Sequence, residues 1–346
     1  MNTGKKRITL EDVGKFCGVS RSTVSRVINK SPLVNEETRR RVELAIKTLG
    51  YVPDFSARSL MTRRTETIAI SLPDIRGGFY PEVLGGADEE AVRRGYLLLV
   101  VFQGSRRPRS HSLQRIISYG RVDGALVFGD TVPDQQLRLL SESHVRVVRL
   151  AAPSPIPEIG SIVIDNFGGA LAAVRHLSQR GCRRIAFISG PPGNRDAEER
   201  RRGYQQGLQE CGLQFDESLV AEGGFVRQGG AAAARTLIDR GVDFDGLFVA
   251  NDEMAIGAVE TLLQAGITIP QQVCVVGFDD IELARFVGLT TVHVPVREIG
   301  MHGARLLCEM IEQGRQPETI TMPTRIIERV STARGGSLSL VRPGGD

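Results

Sequence analysis

Apolar residues follow two different rhythms along the chain, and the rhythm changes near residue 66. Before that point they recur at helical spacing in short blocks. Thr9 is placed to cap a helix from Leu10 to about Cys17, with Asp12 at the third position of a capping box and Gly18 as its interruption. Ser20 caps a second helix from Arg21 to Asn29. Val24, Val27 and Ile28 stand at i, i+3 and i+4 and turn inward, which leaves Ser22, Ser25, Arg26 and Asn29 on the opposite face. Asn35 caps a third helix, Glu36 and Glu37 oppose its N-terminal dipole, and Gly50 stops it. Val42, Ala45, Ile46 and Leu49 form its apolar stripe. Two short helices joined by a tight glycine turn and followed by a third make a helix-turn-helix head.

Beyond residue 66 short apolar runs alternate with helical stretches. The runs are Thr67–Pro73, Tyr96–Phe102, Gly124–Gly129, Val145–Leu150, Arg184–Gly190, Gly246–Asn251 and Val273–Phe278; helices such as Pro81–Arg94, Gly168–Arg180 and Asp252–Gly266 lie between them. Strands alternating with helices imply parallel sheets with crossover helices. The series runs twice, so the expected fold is an all-α head followed by an α/β body of two Rossmann-like lobes, with a ligand cleft at the carboxyl ends of the strands.

The charge changes this picture, because it is unevenly spread. Residues 1–64 carry a net +8 and the remainder −4. A basic head on a mildly acidic body points to a head that meets a polyanion, or to a solvated basic surface. No apolar run approaches 18 residues, and Met1 to Arg7 is polar and basic, so neither a membrane span nor a signal peptide is expected and the location expected is cytoplasmic. Five scattered cysteines, Cys17, Cys182, Cys211, Cys274 and Cys308, form no CxxC pair and are expected reduced, without zinc. No GxGxxG, P-loop, GxSxG or HExxH motif occurs, so no enzyme, no cofactor and no catalytic residue is expected.

The head resembles that of the lactose-repressor (LacI/GalR) family. The resemblance rests on Leu10-Glu11-Asp12-Val13-Gly14, Gly18-Val19-Ser20, Thr23-Val24-Ser25-Arg26-Val27-Ile28-Asn29, Glu37-Thr38-Arg39 and Leu49-Gly50-Tyr51-Val52-Pro53. It implies that Arg21, Ser22 and Arg26 read major-groove bases and that Leu10 adds an apolar base contact. Thr9, Thr23, Ser25 and Asn29 would hold phosphates, and Ser20 at the helix start joins the DNA-binding set. An arginine suits such reading because it can pair guanine O6 and N7 with two hydrogen bonds. Ser56-Ala57-Arg58-Ser59-Leu60 resembles the family's hinge helix, with Leu60 as a wedge that pries open a minor-groove base step.

The body is similar to the same family at Arg121-Val122-Asp123-Gly124, Val163-Ile164-Asp165-Asn166, Arg184 to Pro192, Val249 to Asp252, Met254 to Ala258, Val275 to Asp280 and Leu289 to Val292. That likeness implies a periplasmic-binding-protein-like body, one lobe comprising 67–165 with 296–322 and the other 166–295 with 323–333. The expected domains are a DNA-binding head at 1–53, a hinge and linker at 54–66, an effector-binding and dimerisation body at 67–333 and a disordered tail at 334–346. By resemblance Asp279 and Asn251 hydrogen-bond a small-molecule effector, Arg200 and Asp196 contribute beside them, and Phe79 and Phe225 give apolar faces. Asp252 is expected to cap the helix that it opens. Such a set fits a carbohydrate-like ligand.

Departures from the family pattern leave the ligand's charge open. Leu150-Ala151 stands where an aspartate is usual, Gly77-Gly78 where Asn-Pro is usual, and Gln103 to Arg109 is arginine-rich, which would suit a sugar acid or phosphosugar. The implied protein is a homodimeric regulator, expected to repress, that binds a palindromic duplex operator under control of the effector and touches no membrane. A regulator answering to a protein partner and a ligand-binding protein without gene control share the same pattern.

Overall fold

The computed structural model describes residues 8–28, 31–51, 64–73, 75–103, 112–129, 131–143, 145–333, 335 and 338. The chain divides into two compact units, Met1–Thr65 and Glu66–Asp346. In the first, α1 (Leu10–Cys17), α2 (Arg21–Ile28) and α3 (Glu36–Leu49) enclose a core of Val13, Cys17, Val24, Val27, Val42 and Ala45. The caps form as their chemistry demands. Thr9 Oγ1 accepts from the Asp12 amide at 3.3 Å while Asp12 Oδ2 accepts from the Thr9 amide at 2.9 Å. Asn35 Oδ1 accepts from the Thr38 amide at 2.8 Å, and Gly18 and Gly50 end their helices in the left-handed conformation.

The second unit holds two sheets of six strands. The first contains β1 (Thr67–Leu72), β2 (Leu97–Phe102), β3 (Gly124–Phe128), β4 (Arg146–Leu150), β5 (Gly160–Ile164) and β11 (Thr319–Met322). Between them run α4 (Phe79–Arg93), α5 (Ser112–Ser118) and α6 (Asp134–Ser141). The second sheet contains β6 (Ile185–Ser189), β7 (Val220–Glu222), β8 (Gly246–Val249), β9 (Cys274–Asp279), β10 (Thr290–His293) and β12 (Arg325–Ile327). Its helices are α7 (Asn166–Gln179), α8 (Arg195–Glu210), α9 (Arg227–Asp239), α10 (Asp252–Gln264) and α11 (Glu282–Phe286). The long α12 (Val296–Gln313) returns to pack on α4 and the first sheet.

Both sheets have the same order, β2-β1-β3-β4-β5-β11 and β7-β6-β8-β9-β10-β12. All pairings are parallel except β10 with β12. The chain therefore passes between lobes three times, after Ile164, after His293 and after Met322. In each sheet the order reverses beside the first strand, and such a reversal opens a crevice at the carboxyl ends of the strands.

Close approach of α4 and α12 binds the first lobe together. A Cβ on Gly86 would lie 1.9 Å from the Arg297 carbonyl oxygen, and one on Gly300 would lie 2.0 Å from that of Val83, so glycine is required at both crossings. At the far end of α4 the buried Glu90 carboxylate accepts from Arg93 Nε at 2.8 Å and from Arg94 Nε at 2.8 Å. Burial pushes its pKa upward, but the hydrogen bonds from Arg93 and Arg94 prevail and hold it down at about 2. The ionised carboxylate thus stabilises the fold fully above its ordinary range near 4.5, and that contribution is lost as pH falls through 2. Glu90→Gln is expected to cost about 3 kcal/mol, the low end for a buried ion pair because Arg93 stays exposed. Chemical denaturation at pH 7 and pH 2 measures it; a cost as large at pH 2 as at pH 7 would contradict the pairing.

Candidate functional site

In the head, α2 presents one polar face. Arg21, Ser22 and Arg26 are exposed and Thr23 and Ser25 are half-buried, while Val24 and Val27 are buried behind them. Ser20 Oγ accepts from the Thr23 amide at 3.2 Å and lies 2.7 Å from Ser22 Oγ, so the hydroxyls at the start of α2 form one chain. Neither Arg21 nor Arg26 enters an ion pair among the described residues. Thr9 serves the capping box and remains exposed. Leu10 is half-buried and packs against the head core, so only part of it is free for an outside contact. Asn29 and Leu60 lie outside the described residues.

In the body, the carboxyl ends of the two sheets face each other. The segment after β1 reaches the segments after β8 and β9: a Cβ on Gly77 would lie 2.9 Å from Glu253 Oε1, and one on Gly78 would lie 2.9 Å from Ile281 Cβ. The pair of glycines, where the family resemblance leads one to expect Asn-Pro, lets the lobes meet there. Gly78→Val is expected to disfavour this contact by about 1–3 kcal/mol. Small-angle scattering should then show a larger radius of gyration of the body; an unchanged profile would argue against direct lobe contact at Gly78.

The polar centre of this region belongs to the second lobe. Asp279 ends β9 at φ +114° and Asp280 follows at φ +63°, two consecutive left-handed residues that carry backbone strain. Asp279 is buried, and its Oδ1 has no hydrogen-bond partner. Arg200 Nη2 stands 3.5 Å from that oxygen, an ion pair too long to satisfy it as a hydrogen bond. Burial raises the Asp279 pKa to about 7; Arg200 opposes the rise, and Asp196 and Glu253 add to it. Arg200 on α8 is itself buried, with Nε donating to Asn166 Oδ1 at 2.8 Å and Nη1 donating to the Ala250 carbonyl. Its guanidinium carbon lies 3.8 Å over the Phe278 ring and 5.7 Å from that of Phe225.

Of the other expected residues, Phe225 and Asp196 adjoin this centre, while Phe79 belongs to the first lobe. Phe225, half-buried at φ +61°, follows β7. Phe79 opens α4 and meets Tyr80 and Phe128 edge-on, with ring centroids 5.7 and 5.8 Å away. Asp196 accepts from Asn166 Nδ2 at 2.9 Å.

The expected cap at α10 is corrected. Asn251, not Asp252, caps this helix: its Oδ1 accepts from the Met254 amide at 3.0 Å. Asp252 is fully buried and ties two other elements, accepting from the Ile281 amide at 3.0 Å and from Thr291 Oγ1 at 2.6 Å. The side chains reversed roles because the cap must stand just outside the helix, while Asp252 is turned into the sheet. Burial and the neighbouring Asp279 raise the Asp252 pKa. Asn166 and Phe278 also join the site without having been singled out. Both lie inside segments that carried the family resemblance, but nothing local in their spacing marks them. Among the described residues no cluster of His, Cys, Asp and Glu is arranged for a metal, and no helix is long and apolar enough to cross a membrane.

A helix-turn-helix head followed by this two-lobed, doubly wound body is the architecture of a DNA-binding transcription regulator with an effector domain. Residues 9–54 match the model of bacterial regulatory proteins of the lacI family, and residues 174–332 that of the periplasmic binding protein-like domain. The chain is 36% identical to the transcriptional regulator CelR of Thermobifida fusca, over 94% of this chain and 99% of the relative. It is 33% identical to the transcriptional repressor PurR of Vibrio atlanticus, over 93% and 97%. Among solved structures it is similar to a CelR–cellobiose complex, at TM-score 0.71 and 34% identity over 94% of this chain and 100% of that one. It is also similar to the lac repressor dimer bound to operator and the anti-inducer ONPF, at TM-score 0.84 and 25% identity over 94% and 99%. The chain belongs to the LacI family of bacterial regulatory proteins.

Proposed function

We propose that this regulator is controlled by an uncharged, polyhydroxylated sugar bound at the carboxyl ends of the body's strands. One observation carries the reading: the buried Asp279 carboxylate has an oxygen that nothing in the protein satisfies. A buried polar atom left unpaired costs about 1–3 kcal/mol, and a ligand hydroxyl that donates to it recovers that cost. Arg200 and Asn251 supply further polar groups, and Phe79 and Phe225 supply faces for the ring carbons of a sugar. The CelR–cellobiose complex supports the same chemistry. The arginine-rich loop had suggested an anionic ligand, but Arg106, Arg107 and Arg109 lie outside the described residues. Asp196 and Glu253 lie close enough to raise the Asp279 pKa, and an anion would have to overcome them.

The head is proposed to read a palindromic operator through Arg21, Ser22 and Arg26, with Thr9, Ser20, Thr23, Ser25 and Asn29 on phosphates, Leu10 on a base and Leu60 as the minor-groove wedge. A homodimer working in the cytoplasm is proposed with it. Its support is the apolar surface left open on the edge strand β2, where Leu97 is 64% exposed, and on α11, where Phe286 is 77% exposed. Titration calorimetry with cellobiose, other neutral sugars and their acid and phosphate forms tests the effector. A neutral sugar is expected to bind and to change operator affinity. Binding of the anionic forms alone, or of a protein partner with no sugar bound, would overturn the reading.

A further inference from the structure

Among the described residues Arg200 is the one buried cation around Asp279, and its direction is set by groups on three other elements. The Ala250 carbonyl and Asp279 stand at the ends of β8 and β9, where the sheet itself fixes them. Asn166 is different. It opens α7, one residue past the first crossing between lobes, and its side chain is buried at 5% exposure. Its carboxamide is used from both ends: Oδ1 accepts from Arg200 Nε at 2.8 Å, and Nδ2 donates to Asp196 Oδ1 at 2.9 Å. That orientation is fully determined, because reversing the amide would set Nδ2 against a guanidinium N–H and Oδ1 against a carboxylate.

The backbone beneath it is pinned as well. The Asp165 amide donates to the Met322 carbonyl at 3.1 Å, and Thr324 Oγ1 donates to the Asp165 carbonyl at 3.2 Å. Asp165 Oδ1 accepts from the Gly168 amide at 2.8 Å and caps α7. The first and third crossings therefore hold the residue that precedes Asn166, and the carboxamide projects from a fixed base.

We propose that Asn166 is a positioning residue of the effector site: it aims the Arg200 guanidinium at the bound molecule from the crossing between the lobes. The role rests on the reading of Arg200 as an effector contact. A side chain that merely filled space here would not need both of its polar ends. With Asn166 truncated, Arg200 keeps Ala250 and Asp279 but loses the acceptor on Nε, so the guanidinium plane is free to turn. The Asp196 carboxylate loses the Asn166 donor in the same step.

The test uses the full chain and does not depend on knowing the ligand. The Nε–H resonance of Arg200 is assigned by its disappearance in Arg200→Lys, and its exchange with water is followed in the unliganded protein. In wild type the proton is expected to be protected, because the Asn166 oxygen accepts it. In Asn166→Ala and Asn166→Ser its exchange is expected to be at least tenfold faster, with the melting temperature of the body little changed. Affinity for cellobiose, or for whichever neutral sugar binds wild type, is expected to fall about tenfold in the Ala and Ser variants, as for one lost charge-assisted hydrogen bond. A protected Arg200 proton in the Ala variant, or unchanged sugar affinity in the Ala and Ser variants, would overturn the proposal. Should no sugar bind wild type, the sugar reading falls, while the Arg200 proton still decides the role of Asn166.

Discussion

Asp279→Asn is expected to weaken effector binding by about a hundredfold, the worth of one hydrogen bond to a charged acceptor. The substitution keeps the shape of the side chain and suits the left-handed backbone at this position, since asparagine tolerates positive φ better than most residues. It replaces an acceptor of two hydroxyl protons by a group with one acceptor oxygen. Wild type should show a pH dependence that the variant lacks. With the carboxyl pKa raised to about 7, the ionised form that accepts from sugar hydroxyls is complete only above that value. Affinity in wild type should therefore fall as pH drops below 7, and stay flat in the variant.

The unliganded protein should respond in the opposite sense. A carboxyl with a raised pKa in the fold favours folding most below its unfolded value, and loses that advantage as pH rises through 7. At pH 8 Asp279→Asn should raise the melting temperature while lowering affinity, the exchange expected of a site that holds an unpaired group for its ligand. Titration calorimetry and thermal melts between pH 5.5 and 8.5 measure both. Equal affinity in the two proteins, or a variant less stable at every pH, would remove Asp279 from the binding role.

Arg26→Ala is expected to remove most of the operator's advantage over random DNA. A bidentate arginine–guanine contact discriminates by about 1–3 kcal/mol, and a palindrome read by two heads counts it twice. Arg26 is exposed on the open face of α2, so the head should fold unchanged. The operator is first selected from random duplexes, and both affinities are then measured by fluorescence anisotropy across a salt series. Binding to random DNA should weaken only slightly, with its salt slope nearly unchanged. An equal loss on operator and on random DNA would make Arg26 a phosphate contact.

Much of this protein can be read along the chain. The three head helices are signalled by Thr9, Ser20, Asn35, Gly18 and Gly50, because caps act within four residues and leave a local mark. The seven expected strands are all present, as β1 to β4, β6, β8 and β9. The strands not expected are β5, β7, β10, β11 and β12, most of only three or four residues. A run that short shows no period, and these strands exist because a neighbour pairs with them. β11 and β12 also sit in the sheet opposite to their nearest neighbour in sequence, which only the crossings impose.

The polar site divides in the same way. Asp279, Asn251 and Arg200 were identifiable because their segments resemble those of known regulators. Which oxygen is left unpaired, and which acid is a strut, could not be read there. Asn251 and Asp252 are adjacent and chemically alike, yet one caps α10 and the other is sealed beneath Thr291 and Ile281. Their difference comes from segments that arrive some thirty to forty residues later, the turn after β9 and strand β10. By itself the sequence determined the local elements, the basic reading head and the two-lobed class, since caps, periodicity and charge act over short separations. The tertiary structure alone decided the solvent-free environment that lifts Asp279, the clasp of Asn166 on Arg200 and the glycine contact between lobes. Burial and pairing at a site depend on segments brought together from across the chain, and no local pattern encodes that meeting.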